Sequence, residues 1–380
     1  VRKTTVAASS GLRLKCVATI GALIALGEAN SAAYRFGDGS RTISARRGQT
    51  GGARLTTSKK ILVTGAVGQI GSELTLALRE RYGGENVVAA GHRTAPQPAL
   101  RDSGPFETVD VTVREDVDRV VGDHGIDTVY HLAAILSARG EEDPGLAWRV
   151  NVDGLVNVLE VSRERGVAQV CVPSSIAVFG PETPRDPAPQ ETVLQPTTMY
   201  GVTKVAGELL GEYYVHRFGL DVRGLRYPGI ISSETPPGGG TTDYAVEIFY
   251  QAIQTGRYTC FVRPETRLPM MYMPDCIKAT IELMEADPAR LVHHVNFNVG
   301  SMCFSAEELA AEIRKHVPGF VCEYAPDFRQ AIADSWPCAV DDRAAREEWG
   351  WEPRYDLASM TEDMIERLTA RLEPVHDART

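Results

Sequence analysis

The sequence predicts an α/β protein: a doubly wound parallel sheet with a smaller C-terminal lobe. Three observations carry this. A β-branched apolar run at residues 60–64 (KILVT) opens directly into a glycine-rich turn and a helix-period stretch. Short apolar runs and helix-length segments then alternate as far as residue 227, the pattern of parallel βαβ units. The length, 380 residues, suits two or three domains, or one large α/β unit with an appendage.

The elements follow in order. The strand at 60–64 runs into GAVGQIG at 65–71, then into a helix at 72–81 and a second strand at 86–90. In that turn Gly65 permits the tight bend, Gly68 lets the backbone approach a pyrophosphate, and Gly71 allows close helix–strand packing. The helix start offers free N–H groups to phosphates. TVYHLAA at 128–134 reads as a strand end, 144–165 as one long helix and QVCVP at 169–173 as a strand. Residues 198–218 read as a helix, 221–227 as a strand and 276–286 as a helix capped by Asp275. A strand near 293–299 completes the first domain. The expected division is an extension at 1–57, a dinucleotide-binding domain at 58–235 and a substrate lobe at 236–375.

Composition excludes several classes. The chain is 43% hydrophobic with a net charge of −10, against the basic surface of a nucleic-acid binder. No stretch approaches the roughly 18 consecutive apolar residues of a membrane-spanning helix. The seven cysteines are scattered without metal-ligand spacing, and no metal site is expected; the pattern predicts a reduced, intracellular protein. Residues 1–60 carry a charge of +9 and the rest −19. An acid-poor leader of this kind predicts a transit peptide and a mitochondrial matrix location. A secretory signal built on Arg13, Lys15 and the apolar run at 16–26 is the rival, and a tail without any address the third reading.

A catalytic constellation stands at the strand ends. Tyr200 and Lys204 lie at i and i+4 on one helix face, and Ser174 and Ser175 follow the strand at 169–173. A phenol with its ordinary pKa near 10 is a poor base at neutral pH. Lowering it by ~3 units takes about 4 kcal/mol of phenolate stabilisation, which the Lys204 cation and a nicotinamide ring would supply. Tyr200 then takes a proton from a substrate hydroxyl as hydride leaves its carbon, Ser175 hydrogen-bonds that oxygen, and Lys204 also holds the ribose.

With these residues in view, the chain resembles the extended short-chain dehydrogenase/reductases, a Rossmann-fold superfamily shared with nucleotide-sugar epimerases and dehydratases. The markers are GAVGQIG, HLAA at 131–134, Asn151 in NVDG, PSSIAVFG at 173–180 and YGVTK at 200–204. RYPGIIS at 226–232, PPGGGTTDYA at 236–245, LPMMYMPDC at 268–276, DSWP at 334–337 and DDRAAREEWGW at 341–351 look more narrowly like the short-chain, zinc-independent L-threonine 3-dehydrogenases. The resemblance spans roughly residues 60–368. It implies oxidation of the L-threonine β-hydroxyl to 2-amino-3-oxobutyrate with NAD+, followed by loss of CO2 to aminoacetone or transfer to a glycine-forming CoA ligase.

Carried onto this sequence, the resemblance makes Ser175, Tyr200 and Lys204 catalytic. It places Val67, Gln69, Ile70, Gly91, His92, Arg93, Asp110, Val111, Leu132, Ala133, Ala134, Asn151 and Ile230 against the cofactor, beside the three glycines. Ser137, Thr241, Thr242, Asp243 and Trp336 fall in the threonine-contacting region, with glycines 238–240 as the hinge of a closing lid. The expected adenine-contacting acid is Asp110, and His131 packs beneath the cofactor. By analogy the helices at 144–165 and 198–218 pair across a homodimer.

One departure stands out. NAD-binding members usually end the second strand on an acid that binds the ribose hydroxyls; here the chain reads Ala90-Gly91-His92-Arg93. NAD remains the expected cofactor and NADP stays open. Two other classes stay open as well: a nucleotide-sugar epimerase or dehydratase, whose diphosphate would want Arg226, Arg257, Arg263 or Arg267, and a non-catalytic dinucleotide sensor.

Overall fold

The computed structural model describes residues 59–372, apart from positions 237 and 239. The expectations placed on the extension at 1–57 and on the middle glycine of the 238–240 hinge therefore lie outside the described residues.

In chain order the first part comprises β1 (Ile61–Thr64), α1 (Gln69–Tyr82), β2 (Val87–Gly91), β3 (Phe106–Thr108), α2 (Arg114–His124) and β4 (Thr128–His131). It continues with α3 (Gly154–Arg165), β5 (Gln169–Cys171), β6 (Ser174–Ser175), α4 (Met199–Phe218), β7 (Asp221–Arg223) and β8 (Leu225–Tyr227). Six of these strands form a parallel sheet ordered β3-β2-β1-β4-β5-β7. The strand order reverses between β1 and β4, and the crevice outside the carboxyl ends of strands at such a point is where ligands bind.

Successive side chains of a strand face opposite layers. Ile61 and Val63 pack with Leu74 and Leu78 of α1. Leu62 faces the other way, with Val117 and Val120 of α2 and Leu155 and Val158 of α3. Burying one such side chain contributes roughly 1.5–3 kcal/mol. With helices on both faces the strands need no polar side, and so they read as unbroken apolar runs.

Three elements differ from the sequence expectation. The helix expected at 144–165 contains a π-helical turn at Arg149–Asp153, where Asn151 turns aside to bond another segment. The strand expected at 221–227 divides at Gly224, whose N–H donates to His294 O (2.9 Å) and sends β8 into a second sheet with β6. Asp275 does not cap its helix. That helix begins at Met273, and the fully buried Asp275 carboxylate accepts from the backbone N–H groups of Arg354 and Tyr355 (3.0 and 3.1 Å). Its role is structural, but it ties the distant C-terminal segment rather than a local turn.

The remainder comprises β9 (Gly229–Ile231), α5 (Tyr244–Thr255), β10 (Arg257–Cys260), β11 (Arg267–Tyr272), α6 (Met273–Glu285), β12 (Phe297–Asn298), β13 (Met302–Ser305) and β14 (Val321–Tyr324), ahead of further helices. β11 runs parallel to β9 and antiparallel to β13. β12 returns to pair with β8, so the carboxyl ends of β6 and β9 meet the lobe that carries α5.

Candidate active site

The first end of the site is the turn between β1 and α1. Gly65 has φ +69°, and a Cβ there would stand 2.6 Å from Ala133 N; a Cβ on Gly71 would stand 2.2 Å from Gly65 O. Only glycine lets the turn press against the exit of β4 while α1 packs on β1. The Gly68 N–H closes the turn on Gly65 O (3.0 Å). The turn, up to the N-cap Gly68 of α1, thereby lines a cleft of about 580 Å³, within the roughly 300–1,000 Å³ of small-molecule and cofactor sites.

Ten of the expected cofactor residues line this cleft: Gly65, Val67, Gly68, His92, Arg93, Asp110, Val111, Leu132, Ala133 and Ala134. Gly71 and Gly91 do not line it; they are buried in the packing behind it. Gln69 and Ile70 line the neighbouring cavity with Ile230 instead. Asp110 Oδ1 accepts from Thr112 N (3.0 Å) and Thr112 Oγ1 (2.7 Å). Burial pushes this carboxyl up, but the Thr112 bonds with nearby His92 and Arg93 outweigh it and hold it below the usual range.

The second end is the serine–tyrosine–lysine cluster. The Thr198 hydroxyl caps α4 by accepting from Gly201 N (3.1 Å), which starts the helix just before Tyr200. Pairing of β6 with β8 sets Ser175 opposite Tyr227. The Lys204 ammonium donates to Pro173 O (2.7 Å) and stands 5.5 Å from the Tyr200 ring centroid. Without the nicotinamide ring the phenol stands above its ordinary value. Burial pushes Tyr200 up to about 12, with a hydrogen bond from Ser175 pulling the other way. Burial likewise lowers Lys204 to about 8, against Glu208 and Cys171. His131 is buried and held neutral, lowered to about 3 by burial and by Lys204, and its Nδ1 meets Thr64 Oγ1 at 2.8 Å.

Asn151 is expected against the cofactor and lines a small recess with Lys204. Its amide is occupied by the protein: Oδ1 accepts from Ile135 N (2.7 Å), and Nδ2 donates to Ile135 O and Thr203 Oγ1 (both 3.0 Å). The π turn makes this grip possible, since it rotates Asn151 out of helical register.

The third part brings the substrate expectations together. Ser137, Ser175, Tyr200, Thr241, Thr242, Asp243 and Trp336 all line one cavity of about 140 Å³, together with Ile230 of the cofactor set. Asp243 precedes α5, and its Oδ2 accepts from Gly240 N (2.7 Å), which holds the loop end shut. Trp336 is buried and belongs to the core of the lobe as well as to the cavity wall.

Two groups escaped the sequence reading. Arg149, in the π turn, lines the large cleft; its position two residues before Asn151 was the available signal. Glu208 forms a buried bidentate ion pair with Arg226 (2.8 Å for both bonds) and accepts from Ser174 Oγ (2.6 Å). Nothing local in the sequence pairs residues 208 and 226.

A parallel sheet with a glycine turn at its switch point and a Ser/Tyr/Lys cluster beside it defines a dinucleotide-dependent oxidoreductase-type site. The model of the NAD dependent epimerase/dehydratase family matches residues 61–300, and the chain belongs to that family. An uncharacterised epimerase/dehydratase of Staphylococcus haemolyticus is 50% identical over 311 residues, 82% of this chain and 98% of its own length. The structure of L-threonine dehydrogenase from Clostridium difficile is 48% identical with a TM-score of 0.81, covering 83% of this chain and 98% of that one. The holo form of a GalE-like L-threonine dehydrogenase from Cupriavidus necator is 51% identical with a TM-score of 0.79, covering 81% and 99%. The mitochondrial location read from the leader is corrected by these findings. The curated relatives are bacterial, and their match accounts for 82% of this chain.

Proposed function

We propose that the chain is an NAD-dependent L-threonine 3-dehydrogenase that oxidises the β-hydroxyl to 2-amino-3-oxobutyrate. One observation carries the reading: Ser175 and Tyr200 share a single cavity of about 140 Å³ with Ser137, Thr241, Thr242 and Trp336. That space suits a small hydroxy amino acid. It lies well below the roughly 300–1,000 Å³ of pockets for larger ligands, and so disfavours a nucleotide sugar. The arginines that would serve a diphosphate are spent elsewhere. Arg226 is paired with Glu208, Arg257 with Glu323, Arg263 with Asp334 and Arg267 with Glu308.

The residues of the large cleft fit a dinucleotide: the Gly65–Gly68 turn and the start of α1 hold the pyrophosphate, and Asp110 serves the adenosine. NAD+, when bound, supplies the hydride acceptor and a positively charged ring. Tyr200 takes the proton of the substrate hydroxyl. Ser175 hydrogen-bonds the same oxygen and, by its bond to Tyr200, lowers a phenol that burial holds up. Lys204 supplies positive charge next to that phenol and is itself anchored on Pro173 O. Thr241, Thr242 and Ser137 orient the zwitterion, and Trp336 excludes water.

In this reading residues 58–235 hold the cofactor and residues 236–375 supply the substrate lobe. The apolar face of α4, with exposed Val202, Leu209 and Tyr213, pairs two chains, and the product passes to a glycine-forming CoA ligase or loses CO2. The test is nicotinamide reduction, followed by absorbance, with L-threonine and NAD+. Turnover on threonine that is lost in Tyr200→Phe is the expected result. Silence on threonine from a folded, NAD-binding protein would overturn it.

A further inference from the structure

The adenosine end of the large cleft is built for more negative charge than NAD carries there. β2 ends on Gly91, twenty residues after Gly71, where NAD-binding sheets of this kind place the acid that takes the ribose hydroxyls. The space beside that strand end is filled by apolar side chains. A Cβ on Gly91 would stand 3.1 Å from Phe106 Cζ and 3.2 Å from Val67 Cγ1. The next two residues, His92 and Arg93, line the cleft, and Arg149 lines it from the π turn. Among the described residues neither guanidinium group has an ion pair or hydrogen bond. The one acid among the lining residues is Asp110, and it is already engaged by Thr112 and stands 3.5 Å from His92 Nε2. Two unpaired guanidinium groups and an imidazole thus face a rim with a single, occupied carboxylate.

We propose that His92, Arg93 and Arg149 form an anion subsite for a phosphorylated ribose, so that the chain binds NADP+ as well as NAD+. The inference rests on the dinucleotide reading of the cleft. A 2′-phosphate is a doubly charged, multi-acceptor group, and arginine's planar fork matches it better than any other side chain. The missing acid removes the repulsion that lets NAD-specific sites reject it. Arg93 leaves β2 beside Gly91 and therefore guards the ribose, and Arg149 lines the same cleft from the π turn.

The test is calorimetric binding of adenosine 2′,5′-bisphosphate, 5′-AMP and NAD+ to the full chain and to Arg93→Ala and Arg149→Ala, which needs no turnover. The bisphosphate should bind the wild-type chain about tenfold to a hundredfold more tightly than 5′-AMP, the worth of one or two charged hydrogen bonds. In either variant that ratio should shrink, with the bisphosphate losing far more affinity than 5′-AMP or NAD+. Equal binding of the two nucleotides to the wild-type chain, with NAD+ still bound, would overturn the subsite and leave the dehydrogenase reading standing. So would a ratio that survives both substitutions. Failure of NAD+ and both nucleotides to bind would bring down the subsite and the dinucleotide reading together.

Discussion

The ammonium of Lys204 donates to the carbonyl of Pro173 at 2.7 Å, which ties helix α4 to the segment joining β5 and β6. A cation held in this way stands beside the phenol without reaching its oxygen. Burial dominates both partners, raising Tyr200 to about 12 and lowering Lys204 to about 8.

In the proposed reading Tyr200 is the base, and removing it should be costly. Tyr200→Phe should lower turnover by ~10²–10⁴-fold with little change in NAD+ affinity. Near-normal kcat in that variant would show that the proton leaves by another route.

The lowered Lys204 also predicts a pH dependence of stability. Its folded value lies below its unfolded one, so the strain of burying the cation is fully present below about pH 8 and relieved as pH rises toward 10.5. Lys204→Met should remove this rise in the melting temperature across that window. An unchanged slope would argue against it.

Glu73 behaves in the opposite sense. Burial raises its carboxyl to about 7 despite the bond from Ser232 Oγ (2.6 Å). The folded state then holds a proton that the unfolded state has lost, so stability falls as pH rises from about 4.5 to about 7. Denaturant melts of Glu73→Gln should lose that fall, worth on the order of 1–3 kcal/mol; a wild-type slope in the variant would exclude Glu73 as its source.

Below the catalytic cluster, the pair of Glu208 and Arg226 is almost wholly buried. Glu208→Ala would strand the guanidinium and cost roughly 3–5 kcal/mol. Replacing both members by apolar residues should recover much of that loss in thermal melts. A double variant no more stable than the single one would assign the cost to Ser174, which also bonds Glu208.

At the mouth of the substrate cavity, Asp243 accepts from Gly240 N. Asp243→Ala should raise KM for threonine roughly tenfold or more, the worth of a hydrogen bond to a charged group, and Asp243→Asn should recover part of it. Parallel losses in threonine and NAD+ use would point instead to general unfolding of the lobe.

The parts of the site that could be read from the sequence are those whose chemistry lies within a few residues. The glycine turn works because Gly65, Gly68 and Gly71 act on each other's backbone, and Tyr200 and Lys204 meet because one helical turn separates them. Asp275 looked like a cap for the same local reason, and the structure gives its carboxylate to Arg354 and Tyr355. Likewise the break at Gly224 depends on His294, a partner that no window around the strand contains.

By itself, then, the sequence determined the parallel α/β class and pointed to the glycine turn and to Ser175, Tyr200 and Lys204 as candidates, because periodicity, glycine and short spacings act locally. Only the tertiary structure decided which charges are spent and which stay open. Arg226 is consumed by Glu208, whereas Arg93 and Arg149 are left facing the cleft. It also decided that the Tyr200 phenol is buried, which pushes it up. Both outcomes come from burial: desolvation and long-range pairing depend on neighbours brought from across the chain, and those neighbours exist only once the fold has formed.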